Sequence, residues 1–201
     1  MLDGWARDRI APAIERLARL AARAGVSANA VTLAAFAVGA LAGLAIALEN
    51  FLVGLVLIGI SRVGDGLDGA VARIRGRTDY GGYLDIVLDF FFYGAIPLGF
   101  AFADPDANAV AAALLVFSFY VNGASFLAFA ILAERRGLES TARGEKSIFF
   151  TTGLAEATET IAVFVLACLF PGWFPVLAYV FAAVCFYTAL SRIVLAGRQF
   201  G

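Results

Sequence analysis

Long apolar stretches, separated by short polar connections, make up most of the chain. Six of them are about as long as a membrane-spanning helix, which needs about 20 mostly apolar residues. They are residues 30–48, 51–72, 81–103, 108–133, 148–170 and 176–197. Connections such as Glu49-Asn50 and 104–107 are so short that they predict hairpins between neighbouring helices. The pattern therefore predicts an all-α integral membrane protein, with six transmembrane helices forming one domain over residues 26–201.

The segment before the first apolar stretch has a different pattern. Ile10, Ile14 and Leu17 recur at helical spacing, and arginines occupy the other faces. This predicts an amphipathic helix within residues 1–25 that lies on the cytoplasmic membrane surface, where anionic headgroups attract its arginines. The alternative is a solvated helix packed on the bundle.

Composition agrees with the membrane assignment and excludes several other classes. Of 201 residues, 62% are hydrophobic and 15% are charged, against about 45–50% and about 25% in soluble domains. The net charge of -1 argues against a nucleic-acid partner. The chain contains no histidine, which excludes His-based zinc sites and Ser-His-Asp triads.

The basic residues predict how the chain is oriented in the membrane. All 15 lie at the chain ends, around the connection between spans two and three, or around the connection between spans four and five. Because cytoplasmic loops carry an excess of Lys and Arg, both termini and both basic connections are predicted to be cytoplasmic. The predicted location is a multi-pass protein of the cell membrane, which in a bacterium is the inner membrane.

Four aspartates inside the predicted spans are the main candidates for chemistry. Asp65 and Asp68 share one helix face at i and i+3, and Asp85 and Asp89 share another at i and i+4. A short basic turn between spans two and three makes these spans antiparallel, so the four carboxylates face one another near the cytoplasmic boundary. Their repulsion calls for divalent cations, and oxygen ligands suit Mg²⁺, Mn²⁺ or Ca²⁺. Four acids can hold two ions, an arrangement that clamps phosphoryl oxygens.

Small and basic residues accompany the aspartates. Gly66, Gly69, Gly81 and Gly82 leave space for a bulky ligand to approach the backbone, and the alternative is that they allow close helix packing. Arg73, one turn beyond Gly69, is placed to pair with a phosphate, and the alternative is that it only extends towards water.

The run from residue 65 to 89 resembles the signature of the CDP-alcohol phosphotransferase (CDP-alcohol phosphatidyltransferase) family, D-x-x-D-G-x-x-A-R followed by G-x-x-x-D-x-x-x-D. The matching positions are Asp65, Asp68, Gly69, Ala72, Arg73, Gly81, Asp85 and Asp89. Seven residues separate Arg73 from Gly81, where the family usually has eight or more. Gly82 would restore the length but break the G-x-x-x-D step, so Gly81 is assigned.

The resemblance extends over nearly the whole chain. Family members have six spans, cytoplasmic termini and an N-terminal surface helix, and many carry P-N-x-x-T at the start of span one. Here Asn29 and Thr32 match that element, and Ala28 replaces its proline. Asn29 also has an alternative local role as a helix N-cap.

The resemblance implies a membrane enzyme of phospholipid synthesis. It would transfer a phosphatidyl group from CDP-diacylglycerol, or a similar CDP-linked donor, to an alcohol and release CMP. Asp65, Asp68 and Asp85 would bind Mg²⁺ or Mn²⁺, with two ions expected, and Asp89 would bind the second ion and act as the general base. The implied donor-binding residues are Asn29, Thr32, Gly69, Ala72, Arg73 and Gly81. The family also implies a homodimer.

The acceptor is the least defined part of the prediction. Arg143 and Lys146 stand at the start of span five, placed to hold an anionic acceptor such as glycerol phosphate, inositol phosphate or phosphatidylglycerol. The alternative is that they only set the topology. Asn122, Glu156 and Glu159 are unusual inside spans four and five, and they fit either an acceptor pocket or a subunit interface.

Two other functions compete with this one. A six-helix transporter would need polar groups distributed across the bilayer, whereas the acids here cluster at one end. An intramembrane prenyltransferase also uses aspartate-rich motifs with a metal, but it has more spans than 201 residues allow.

Overall fold

The computed structural model describes residues 2–137, 155 and 157–201, with side chains described from residue 11 onward. All the regular elements in these parts are helices, which confirms the predicted all-α class. They are α1 (Leu2–Arg23), α2 (Ala28–Ala47), α3 (Phe51–Arg75), α4 (Asp79–Ala103), α5 (Pro105–Arg135), α6 (Ala157–Leu169), a short 3₁₀ helix (Pro171–Trp173) and α7 (Phe174–Phe200).

Four helical segments within the described residues are long and apolar enough to cross a membrane. They are Ala28–Ala47, Asp79–Ala103, Pro105–Arg135 and Pro171–Phe200, and they correspond to predicted spans one, three, four and six. Helix α3 has 25 residues, but Arg62, Asp65 and Asp68 interrupt its apolar sequence. Helix α6 has 13 described residues, because predicted span five begins outside the described part of the chain. Spans two and five, and hence the total of six, stay predictions.

Helix α1 packs against the end of α3 that carries Asp65 and Asp68. Ala18 of α1 is fully buried in a cluster with Ala70 and Val71 of α3. Arg75 donates hydrogen bonds to the carbonyl oxygen of Ala22 at 3.4 Å and to that of Val26 at 3.3 Å. The predicted N-terminal helix therefore packs on α3, and its position on a membrane surface stays a prediction.

Helices α3 and α4 both pack against α2. A Cβ atom at Gly43 of α2 would lie 2.9 Å from the carbonyl oxygen of Ala95 in α4, and one at Gly99 would lie 2.5 Å from the carbonyl oxygen of Gly43. Only glycine allows the two backbones to approach this closely, as small residues do between membrane helices. This contact brings α2 and α4 together near their ends, whereas the candidate site lies at their beginnings.

Aromatic side chains form much of the buried core. Phe92, Phe100 and Phe164 have no exposed surface, and Phe100 stacks on Phe174 with ring centroids 4.3 Å apart. The outer surface of the bundle exposes many large apolar side chains, such as Leu52 of α3, and they occur throughout α2 to α7. A protein in water would bury more of this surface, whereas lipid solvates it.

Candidate active site

Three of the four predicted aspartates come together between α3 and α4. One carboxylate oxygen from each of Asp65, Asp68 and Asp85 lies within 4.8 Å of the others. Asp65 and Asp68 are one turn apart on α3, and Asp85 faces them from α4. Arg62 of α3 contacts Asp89 of α4, whereas the later Asp68 lies near the earlier Asp85, which is the predicted antiparallel arrangement.

The chemistry of this group fits a divalent cation. Asp68 is only 6% exposed, and its Oδ2 atom has no hydrogen-bond partner among the described residues. A buried carboxylate oxygen without a partner is unfavourable unless a cation compensates it. Three carboxylates that converge without nitrogen or sulfur ligands match the preference of Mg²⁺ and Mn²⁺ for oxygen.

The fourth aspartate, Asp89, lies beside this group in contact with an arginine. Arg62 Nη1 donates a hydrogen bond to Asp89 Oδ1 at 2.7 Å and lies 3.7 Å from Asp65 Oδ2. The guanidinium carbon of Arg62 is 3.8 Å from the centre of the Phe92 ring. The structure therefore joins all four predicted acids in one polar centre, in which Arg62 contacts Asp89 most closely and Asp65 less closely.

Sequence reasoning missed the role of Arg62, which it counted only among the residues that set the topology. A signal was available, because Arg62 lies inside an apolar span and precedes Asp65 by three residues, which puts both on one helix face. A charged residue inside a span is a functional candidate by default, and its partner in the acidic centre was predictable from this spacing.

A cavity of about 460 Å³ opens next to the acidic centre, between the beginnings of α2 and α4 and the end of α3. Asp68 and Asp85 line it, so the cavity and the acidic centre are continuous. All the residues predicted for donor binding also line it, namely Asn29, Thr32, Gly69, Ala72, Arg73 and Gly81. Residues up to 52 positions apart in the sequence thus line one cavity, and their role in donor binding stays a prediction.

The glycines of the site differ from those that pack helices together. A Cβ atom at Gly82 would meet nothing within 4 Å, and one at Gly69 would meet only the end of the Arg73 side chain at 3.8 Å. At Gly66 the neighbour is the Ile14 side chain of α1 at 3.2 Å. Gly69 and Gly82 therefore leave room for a ligand, whereas close helix packing depends on Gly43 and Gly99.

Two side chains fix the helix ends that border the cavity. Ser27 Oγ accepts a hydrogen bond from the Ala30 N–H at 3.2 Å, and Thr78 Oγ1 accepts one from the Gly81 N–H at 3.0 Å. These are N-cap contacts, which satisfy the free N–H groups of the first turn. The alternative role of Asn29 as the N-cap of α2 is therefore wrong, because Ser27 occupies that position.

The predicted acceptor residues Arg143 and Lys146 lie outside the described residues, as does Glu156. Asn122 contacts the end of α7, since Arg192 Nη1 donates to both its carbonyl oxygen and its Oδ1 at 3.0 Å. Glu159 lies in the first turn of α6, and its Oε2 atom is buried without a hydrogen-bond partner in the described part of the chain. Asn122 therefore ties α5 to α7 within one chain.

The sequence is similar to that of a known protein family and of individual proteins. A family model described as CDP-alcohol phosphatidyltransferase matches residues 25–190. The chain is 45% identical over 193 residues to the inner membrane protein YnjF of Escherichia coli, covering 96% of this chain and 94% of that protein. It is 25% identical over 194 residues to an archaetidylinositol phosphate synthase of Pyrococcus horikoshii, covering 96% and 95% of the two chains.

Solved structures share the fold. The phosphatidylinositol phosphate synthase of Mycobacterium tuberculosis with manganese and citrate matches with a TM-score of 0.71 at 23% identity, covering 90% of this chain and 87% of that one. The same enzyme with CDP-DAG bound matches with a TM-score of 0.69 at 21% identity, covering 90% and 91%. The apolar helices and the similarity to an inner membrane protein together show a membrane protein.

Proposed function

The chain belongs to the CDP-alcohol phosphatidyltransferase family, and from this membership we propose that it transfers a phosphatidyl group from CDP-diacylglycerol, or a similar CDP-linked donor, to an alcohol and releases CMP. The observation that carries the proposal is the continuity of the acidic centre with the cavity that the predicted donor residues line. This reading replaces the transporter and prenyltransferase alternatives.

The cavity is suited to the nucleotide part of the donor. Arg73 and Arg77 line it and supply positive charge for a diphosphate, while Gly69 and Gly82 leave the backbone open. The cavity lies at helix ends, so a nucleotide there can stay in contact with water while the acyl chains of a lipid donor remain in the bilayer. The solved relative with CDP-DAG bound supports this choice of donor.

Asp89 is assigned as the general base. An alcohol is a weak nucleophile at neutral pH, so a carboxylate that accepts its proton during attack speeds the reaction. The acceptor oxygen then forms a bond to the phosphorus attached to the lipid, and the bond from that phosphorus to the CMP oxygen breaks. When bound by Asp65, Asp68 and Asp85, Mg²⁺ or Mn²⁺ neutralises charge on the diphosphate and on the leaving CMP.

The acceptor is proposed to carry a phosphate. Arg143 and Lys146 supply positive charge at the predicted start of span five, and Arg192 lies at the end of α7 within reach of Asn122. The archaeal relative is named an archaetidylinositol phosphate synthase, and the solved relatives are phosphatidylinositol phosphate synthases. These names support inositol phosphate first, with glycerol phosphate and phosphatidylglycerol as further candidates.

Several properties of the whole enzyme belong to the same proposal. The chain would cross the membrane six times with both termini in the cytoplasm, α1 would lie on the cytoplasmic membrane surface, and two chains would form a homodimer. The basic connections support the orientation, and the family supports the six spans and the dimer.

The test is CMP release by the purified full-length protein with Mg²⁺ or Mn²⁺ and CDP-diacylglycerol. Each phosphorylated acceptor is paired with its unphosphorylated counterpart, inositol phosphate with inositol and glycerol phosphate with glycerol, and the lipid product is identified by mass spectrometry. We expect CMP release with a phosphorylated acceptor and little with its counterpart. No CMP release with any CDP-linked donor would contradict the transferase, whereas equal rates with neutral acceptors would contradict only the acceptor class.

A further inference from the structure

The donor cavity is bounded on one side by the turn between α1 and α2 and by the first residues of α2. Ser27, Ala28, Asn29 and Thr32 line the cavity from this side. They offer hydroxyl and amide groups without charge, which suits the sugar and base of a nucleotide. The charged residues that line the cavity come instead from α3, α4 and the connection between them. The position of the turn therefore decides how well the nucleoside part of a ligand fits.

The turn between α1 and α2 has a defined backbone. Residues 24–27 alone separate the two helices. Gly25 has a φ of +83°, a left-handed conformation that commonly ends a helix. The N–H groups of Gly25 and Val26 donate to the carbonyl oxygens of Ala22 at 3.1 Å and Ala21 at 3.0 Å. The residues that line the cavity thus follow directly from the end of α1.

Arg75, the last residue of α3, joins this turn to the rest of the site. Its Nη1 atom donates hydrogen bonds to the carbonyl oxygen of Ala22 at 3.4 Å and to that of Val26 at 3.3 Å. Ala22 belongs to the last turn of α1, where the partial negative charge of a helix C-terminus favours a guanidinium. Arg77 lines the same cavity, but within the described residues it makes no such contact with the turn.

Apolar packing brings the same three helices together beneath the cavity. Ala18 of α1 and Val71 of α3 are buried in one cluster, and Ala28 and Val31 of α2 pack against it. Contacts between such small side chains have no preferred direction. The hydrogen bonds from Arg75 are directional, so they determine where the turn sits on the end of α3.

We propose that Arg75 is a positioning residue for donor binding, which holds the turn between α1 and α2 so that Ser27 and Asn29 meet the nucleoside part of a CDP-linked donor. This inference rests on the proposed function, because it takes the cavity as the nucleotide site. Arg75 acts through two backbone carbonyl groups, whereas Arg77 is expected to act directly on the phosphates.

The test separates the nucleoside from its phosphates. Full-length protein in detergent is titrated with CDP and, in competition, with cytidine. Arg75→Met removes the hydrogen-bond donors and should raise the Kd for cytidine about fivefold, as the loss of one hydrogen bond does. The Kd for CDP should rise at least as much, because a positive charge is also lost. Arg77→Met is the matched variant and should raise the Kd for CDP while leaving that for cytidine unchanged.

Two further measurements distinguish positioning from a general loss of stability. Backbone amides of residues 25–31 should exchange hydrogen faster in Arg75→Met than in the wild type, while those of α5 and α7 exchange at the wild-type rate. In Arg77→Met both groups should exchange as in the wild type. With CDP-diacylglycerol as donor, Arg75→Met should raise KM without lowering kcat.

The outcomes separate this inference from the proposed function. A wild type that binds no CDP and releases no CMP would overturn both. If the wild type binds CDP, then unchanged cytidine binding in Arg75→Met would overturn the positioning role alone, and so would faster exchange spread over all the helices. If Arg75→Met does not fold, as judged by circular dichroism, Arg75→Gln replaces it with the same expected results, because it also loses the guanidinium.

Discussion

Asp89 does not line the donor cavity, whereas Asp68 and Asp85 of the same centre do. This separates proton transfer from nucleotide binding. In Asp89→Asn, the side chain keeps its size but cannot accept the acceptor proton. We therefore expect CMP release to fall by about 100-fold or more, while the dissociation constant for CDP changes little. Initial rates of CMP release and calorimetric titration with CDP measure the two quantities.

Asp79→Asn provides the control for that prediction. Asp79 lies in the exposed first turn of α4 and is not among the residues of the cavity. This variant should release CMP at the wild-type rate. Wild-type turnover in Asp89→Asn would remove Asp89 as the base, and loss of CDP binding would show that its role is not confined to proton transfer.

Asp68 should link metal binding to thermal stability. Its Oδ2 atom is buried without a hydrogen-bond partner among the described residues, which is unfavourable in the metal-free protein. Asp68→Asn should therefore raise the apparent Tm in the presence of a chelator. Binding to the folded state alone stabilises by about 2.7 kcal/mol at a ligand concentration 100 times Kd, so Mn²⁺ should raise the Tm of the wild type and leave that of the variant nearly unchanged.

Thermal unfolding in detergent, with chelator and with Mn²⁺, measures this effect, and Asp79→Asn is again the control. A lower Tm for Asp68→Asn in chelator would mean that the carboxylate stabilises the metal-free fold. An equal Mn²⁺-induced shift in both proteins would mean that the ion is bound elsewhere.

At the scale of single residues, the local spacing of the acids predicted which carboxylates lie close together. Asp65 and Asp68 share a helix face by their spacing alone, and the structure brings Asp85 to them. Arg62 was missed because a basic residue near a span end is usually explained by topology. The alternative role of Asn29 as N-cap was wrong, because Asn29 and Ser27 are both good capping residues and only the geometry distinguishes them.

The packing of α2 against α4 depends on the close approach of their backbones at Gly43 and Gly99. Gly99→Ala would place a Cβ atom 2.5 Å from the carbonyl oxygen of Gly43 and push the two backbones apart. Overpacking of this kind costs about 1–3 kcal/mol. We expect a lower apparent Tm, whereas CDP binding should change less, because Asn29 and Gly81 lie at the beginnings of these two helices, away from the contact.

Gly94→Ala is the matched control on the same helix. A Cβ atom there would meet nothing within 4 Å, and alanine is the better helix former by about 1 kcal/mol. Its Tm should equal or exceed that of the wild type. If both variants behave alike, the close approach of α2 and α4 does not limit stability.

At the scale of elements, hydropathy predicted the helices but not their neighbours. The predicted span 81–103 became Asp79–Ala103, since Thr78 caps the helix two residues earlier. The hydropathy pattern did not predict which helices lie side by side in the bundle, because the spans are apolar on nearly all faces. It therefore did not reveal that α2 packs against both α3 and α4, or that the cavity is formed by three helix ends.

The distribution of basic residues over the whole molecule predicts which side of the membrane each connection lies on. The basic residues predict that the chain ends lie in the cytoplasm, and with six spans the connections at Asn50 and Gly172 would then lie on the opposite side. The two native cysteines, Cys168 and Cys185, are buried and should react slowly with a membrane-impermeant maleimide. In intact bacterial cells, Asn50→Cys and Gly172→Cys should therefore be labelled, whereas Arg23→Cys should be labelled only after the membrane is permeabilised.

This pattern also tests whether α3 crosses the membrane, despite the charges that it carries. Asn50 at its beginning and Gly76 at its end must then lie on opposite sides, so Gly76→Cys should behave like Arg23→Cys. The left-handed backbone at Gly76, with φ of +103°, makes Arg77→Cys the safer second reporter of the same connection. Labelling of Asn50→Cys and of the Gly76 connection from the same side would mean that α3 does not span the bilayer. The acidic centre would then have to be reached by the donor in another way, because its four carboxylates would no longer lie just inside one face of the membrane.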